Sequence, residues 1–230
     1  MKMKNKIHQL IEGSYEHRLK NSNYHVFSSI DVHIIDSLPE DVDLQYVFSF
    51  INKRIPPFIL ELIDVVYIGS FKDLEERHIN AKYADGAIYV TNDQKNNQDM
   101  IDDIIHELAH AVEESYGQEI YSSGIVEQEF LGKRKRLERL LRYLNYDTHK
   151  YDFDNPEYKK KLDFFLFMDV GYDTIESLIN GLFVSPYSAT SLREYFAEGF
   201  EHYYLNKAQL VKKISPSLYD VLELLNGIEQ

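Results

Sequence analysis

Cysteine and tryptophan are both absent from the 230 residues. Without cysteine there is no disulfide framework, no thiol nucleophile and no thiolate metal site. No repeat, low-complexity tract or Gly/Ser linker divides the chain. Positive charge is in deficit, with 25 Lys and Arg against 38 Asp and Glu and a net charge of −13. That balance repels a phosphate backbone and argues against a nucleic-acid partner. Long apolar runs are missing too. The basic start, MKMKNKIHQLIEGSYEHRLK, is followed by no apolar stretch of the length a signal peptide needs. No stretch approaches the roughly 20 apolar residues of a membrane span. The expectation is a cytoplasmic product with no nucleic-acid or membrane partner; release by lysis or by another export route stays open.

What is present is an ordinary globular composition, 44% apolar, with 18 Tyr and 13 Phe. The length suits one large domain or one domain with extensions. Tyrosines keep a polar tip, which suits half-buried surfaces and cleft walls.

Residues 1–24 are polar and read as an N-terminal arm or helix. Val26 to Ile35 reads as a strand, Leu44 to Ile51 as a short helix ended before Pro56-Pro57, and Leu62 to Ile68 as a strand. Asp85-Gly86 is a turn signal, followed by a short strand from Ala87 to Val90. Ile101, Ile104, Ile105, Leu108 and Val112 recur at helical spacing and predict a helix from about Met100 to Tyr116, with Gly117 just past its end. Helices are also expected over 127–145, over 157–183 as two pieces around Gly171, over 191–205 and over 218–225. The GKRKR run at 132–136 reads as a solvated helix face.

Within the helix expected from Met100 to Tyr116 lies His106-Glu107-Leu108-Ala109-His110. On a helix the two histidines project one turn apart from the same face. Two imidazoles so placed can ligate one Zn²⁺, and Glu107 beside them can take the proton of an attacking water. With nine histidines and 20 glutamates in the chain, this pattern arises by chance about 0.03 times. The ordinary alternative is two surface histidines flanking a glutamate on an amphipathic helix.

A catalytic zinc needs a third protein ligand and an open position. Residues 111–121 hold no histidine, so the ligand lies further on. Glu194 and Glu198, in REYFAEGFEH, stand at i, i+4 on one helix face. One can ligate, and the other can accept a hydrogen bond from a ligating imidazole. A solvated acidic face is the plain alternative. His202, two turns beyond Glu194, reads as a surface or satisfied histidine.

The combination of HELAH, Tyr187 and REYFAEGF resembles the catalytic domain of anthrax lethal factor and the related Pro-Pro endopeptidases. In that family a tyrosine precedes the zinc-ligating glutamate by seven positions, as Tyr187 precedes Glu194. The resemblance implies an α+β, zincin-like metalloprotease fold: a small mixed β-sheet, an active-site helix bearing the motif, and a helical lower half. It implies Glu194 as third ligand, Tyr187 as hydrogen-bond donor to the oxyanion, and Glu198 as the acceptor behind an imidazole. It also implies an edge strand, here Ala87, Ile88, Tyr89 and Val90, that pairs with extended substrate. The resemblance spans about 25–205, inside an expected domain over 25–230. His110 and Glu194 stand 84 positions apart, longer than the family pattern, and the excess falls in a helical insertion at about 120–182. The expected activity is a zinc-dependent endopeptidase with one Zn²⁺ per chain, acting on a peptide or protein. The rival readings are a non-catalytic, partner-binding domain of the same family and a zinc hydrolase acting on a non-peptide substrate.

Overall fold

A computed structural model describes residues 23–27 and 30–227. The N-terminal arm or helix expected at 1–24 lies outside these, apart from its last two residues, which open a strand. The chain divides into two compact units, Met1–Leu108 and Ala109–Gln230. The secondary structure is α+β, with all described strands in the first unit.

That unit holds a five-stranded mixed sheet built from β1 (Asn23–Phe27), β2 (Ile30–Ile34), β3 (Val65–Ile68), β4 (Ala81–Ala84) and β5 (Ala87–Val90), in the order β1-β2-β3-β5-β4. The run expected as one strand from Val26 to Ile35 is instead two antiparallel strands, with Phe27 paired to Ile30. β3 runs parallel to both β2 and β5. Parallel neighbours need crossovers. Helices α1 (Leu44–Arg54) and α2 (Pro57–Leu60) supply one between β2 and β3, and α3 (Lys72–Arg77) lies in the next. Asp43 caps α1 by accepting from Tyr46 N, and Pro57 sits at the first position of α2, where its missing N–H costs nothing.

Side chains alternate across the sheet as the two-residue period requires. Val32, Val66 and Ile88 pair in register and are fully buried, while His33, Tyr67 and Tyr89 form a half-buried aromatic row on the other face. Asp85 and Gly86 both have positive φ, 48° and 80°. This is the two-residue turn whose twist suits a hairpin, and it joins β4 to β5.

Helix α4 runs from Asn97 to Tyr121, five residues beyond the expected end. Asn96 caps it, its side chain accepting from the backbone N–H groups of Gln98 and Asp99. Met100, Ile101, Ile104, Ile105, Leu108 and Val112 are buried, giving the stripe that the spacing predicted. Gly117 does not stop the helix. Tyr116, at φ −121°, marks a kink beside it, and the helix continues.

The second unit is helical. α5 (Ile125–Tyr143) is followed by a loop, then α6 (Lys160–Phe164), which passes into a wider π-helix at Phe165–Val170, and α7 (Tyr172–Leu178). Gly171, at φ 83°, separates the two pieces as expected. The turn Tyr187–Ala189 leads into α8 (Leu192–His202), then α9 (Ala208–Ile214) and α10 (Pro216–Asn226).

The basic run on α5 corrects an expectation. Lys135 and Arg136 are exposed, but Arg134 is fully buried and Lys133 is nearly so. Lys133 Nζ donates to Tyr195 Oη, the Ile214 carbonyl and Ser215 Oγ at 2.7–2.8 Å, three acceptors for three ammonium hydrogens. Burial pushes its pKa down to about 8. Tyr195 in turn donates to Glu129. These bonds tie α5 to α8 and to the joint between α9 and α10, and so hold the segment bearing Glu194.

Gly199 permits the close approach of α8 and α10. A Cβ there would lie 2.2 Å from Cδ2 of Leu218, which is itself fully buried. Alanine gains about 1 kcal/mol of helix propensity, but overpacking costs about 1–3 kcal/mol. Gly199→Ala is therefore expected to lower stability by up to about 2 kcal/mol, read from the urea midpoint. A rise in the midpoint would show that Leu218 moves aside freely.

Candidate metal centre

His106, Glu107 and His110 stand on consecutive turns of α4, and each offers an atom within 4.8 Å of the others'. Glu107 is 8% exposed and His110 9%. Glu107 is anchored from the sheet: its Oε2 accepts from the Tyr83 backbone N–H at 2.6 Å. Tyr83 belongs to β4, the last strand of the sheet. One carboxylate oxygen is thus fixed by main chain, which orients the other.

The expectation for Ala87, Ile88, Tyr89 and Val90 is corrected here. They do form a strand, β5, but it lies between β3 and β4 and has both edges paired. The free edge on that side belongs to β4. Strand order depends on long-range pairing, and a four-residue apolar run does not encode it.

His110 meets a carboxylate at each ring nitrogen. Its Nδ1 lies 3.4 Å from Glu113 Oε2, and its Nε2 lies 3.8 Å from Glu194 Oε2. A carboxylate only accepts, so a proton on Nδ1 would be donated to Glu113, with Nε2 facing Glu194. Glu194 enters from the first turn of α8. Ser191 caps that helix, its Oγ accepting from the Glu194 N–H at 3.2 Å, which fixes where the glutamate stands.

Glu113 carries no sequence signal, yet three groups converge on it. Tyr121 donates to Oε1 at 2.6 Å, and Arg193 Nε donates to Oε2 at 2.8 Å beside His110. Burial alone would raise its pKa; the hydrogen bonds from His110, Tyr121 and Arg193 hold it below the usual carboxylate range. Tyr121 reaches back two turns along α4, in the direction that helical side chains lean. Burial, and then the charge of Glu113, keep its phenol protonated far above neutral pH.

Tyr187 sits in the turn before α8, braced by its own carbonyl, which accepts from Thr190 Oγ1 at 2.8 Å. Burial raises the pKa of its phenol, and the negative charge of Glu194 adds to the rise, so it stays an O–H donor. Tyr172, from the expected insertion, behaves likewise, with burial first and then Asp163 and Glu198 as causes. Glu198 is half-buried one turn past Glu194, with Glu201 next on the same stripe; their carboxylates approach within 4.8 Å. His202 is satisfied, as expected: its Nδ1 lies 3.0 Å from the Glu198 carbonyl.

The separation between His110 and Glu194 suits a shared metal ion. Zinc bound to His nitrogen and carboxylate oxygen at about 2.0–2.2 Å in tetrahedral geometry sets neighbouring donors about 3.3–3.6 Å apart. The 3.8 Å between His110 Nε2 and Glu194 Oε2 is close to that separation.

Comparison with protein-family models, with curated proteins and with solved structures finds no match. No helix among the described residues is long and apolar enough to cross a membrane.

Proposed function

We propose that this protein is a zinc-dependent endopeptidase of the zincin-like class. The observation that carries the reading is the approach of His110 Nε2 to Glu194 Oε2 at 3.8 Å. The two residues are 84 positions apart in sequence, and a carboxylate beside the second histidine is what an H-E-x-x-H helix needs as a third ligand. With Nδ1 turned to Glu113, Nε2 of His110 faces a carboxylate, and a cation between the two would be held by both.

His106, His110 and Glu194 would hold the ion. Zinc in such a site supplies Lewis acidity, polarising a carbonyl and making water a competent nucleophile near neutral pH. Glu107, fixed through Tyr83, takes the proton of the attacking water and delivers it to the leaving amine. Tyr187, protonated at neutral pH, donates a hydrogen bond to the oxyanion that develops on the substrate carbonyl. β4 is the edge strand that an extended peptide would join by backbone pairing, in the role that the sequence suggested for β5. The resemblance of HELAH, Tyr187 and REYFAEGF to the lethal factor and Pro-Pro endopeptidase pattern supports peptide as the substrate class.

The test is cleavage of a mixed-sequence peptide library by the zinc-loaded protein, read by mass spectrometry, with the Glu107→Gln protein as the blank. Cleavage products in the wild type alone support the reading. Zinc bound without any product would point away from peptide hydrolysis.

A further inference from the structure

Resting on the zinc reading above, we infer that Glu113 is the positioning residue of the metal ligand His110, and that Arg193 holds Glu113 to that task from the helix bearing the third ligand. Three donors converge on Glu113. Glu113 is nearly buried, with a side chain 9% exposed. Both of its oxygens are engaged, Oε1 by Tyr121 and Oε2 by Arg193 and His110. A buried carboxylate with these partners cannot swing away without leaving a charge unpaired, which is costly.

Its position decides what it does. Glu113 lies three residues after His110, on the same face of α4, and meets Nδ1, the ring nitrogen turned away from Glu194. A carboxylate there keeps the proton on Nδ1, fixes the ring plane and raises the basicity of Nε2. The contact is long at 3.4 Å. Ligation at Nε2 withdraws charge from the ring and makes Nδ1–H a better donor, so the bond should shorten when metal binds.

Arg193 adds a connection that a simple histidine–carboxylate pair lacks. It immediately precedes Glu194 in α8, and its Nε donates at 2.8 Å to the same Oε2 that faces His110. Ser191 fixes the backbone of this first turn through Glu194 N–H. One carboxylate oxygen therefore joins the second histidine of α4 to the residue beside the third ligand on α8. Setting His110 and setting Glu194 become one event.

The test measures zinc affinity rather than activity, by competition with a chromophoric chelator at fixed pH. It uses the full chain as wild type, Glu113→Ala, Glu113→Gln, Arg193→Gln and the double variant Glu113→Ala/Arg193→Gln. Thermal unfolding of each metal-free protein is recorded alongside, so that a fold defect is seen separately. The expected result is roughly a 10- to 100-fold loss of zinc affinity in Glu113→Ala. Glu113→Gln should fall between, because an amide oxygen still accepts but carries no charge. Arg193→Gln should lose less, and adding it to Glu113→Ala should cost nothing further, since its effect passes through Glu113. A purely structural role would lower the melting temperature and leave the zinc affinity in place. Unchanged affinity in Glu113→Ala overturns this inference while the zinc site stands. A wild type that binds no zinc overturns the zinc reading and this inference together.

Discussion

Glu107→Gln should keep zinc at the wild-type level and lose peptide hydrolysis by about 10²- to 10⁴-fold, the usual contribution of a positioned general base. The substitution preserves shape. The amide oxygen can still accept from the Tyr83 N–H, which holds Glu107 at 2.6 Å, so the geometry next to His106 and His110 should persist. What disappears is a group able to take a proton from water. The two readouts therefore separate: metal content reports the ligands, and product formation reports the base. Turnover retained in Glu107→Gln would mean that another group takes the proton.

The second large effect is on stability. Arg134 is 0% exposed on α5, and its guanidinium donates to the Asn155 carbonyl at 2.6 Å and the Asp152 carbonyl at 3.3 Å. It also lies over the rings of Phe130 and Phe153, with its central carbon 5.1 and 5.8 Å from their centroids. Burial pushes its pKa down to about 10, so it remains charged at neutral pH. Its role is to hold the segment after α5 against that helix by neutralising the carbonyls' demand for donors. Arg134→Ala removes the donors and opens a cavity between two aromatic rings. The two losses together should cost about 3–5 kcal/mol. In a chain of this size that is a fall of roughly 6–20 °C in melting temperature. Arg134→Met refills the space but leaves the carbonyls unpaired, so it should fall between wild type and alanine. A melting temperature unchanged in Arg134→Ala would show that the loop is held by other means.

The local part of the site was legible in the sequence because its geometry is local. A spacing of four residues between two histidines on a periodic apolar helix places both on one face, and the structure has them there. Ser191 before Glu194 is a helix-start signal of the same kind, with the capping spacing written in the chain. The hairpin at Asp85-Gly86 was visible for the same reason, since both positions need positive φ.

What the sequence concealed depends on partners distant in the chain. β5 was recognisable as a strand, but its inner position follows from pairing with β3 and β4, and β4 itself, AKYA, has too little alternation to be seen. Glu113 reads as one more acidic residue on a helix surface; only the arrival of Arg193 and the return of Tyr121 reveal it. Lys133 and Arg134 sit in a run that looks solvated, yet carbonyls and aromatic rings from elsewhere in the chain turn two of its charges inward. The reach of α4 past Gly117 was missed because a glycine tolerates both a stop and a kink.

The central claim is that His106, His110 and Glu194 together hold one zinc ion, and elemental analysis of the purified wild type and Glu194→Ala, prepared side by side with zinc supplied, tests it most directly. The account predicts about one zinc per chain in the wild type and little in the variant, as expected when a three-ligand site loses one protein ligand. Equal zinc in both proteins would contradict Glu194 as a ligand, and no zinc in either would contradict the metal centre itself.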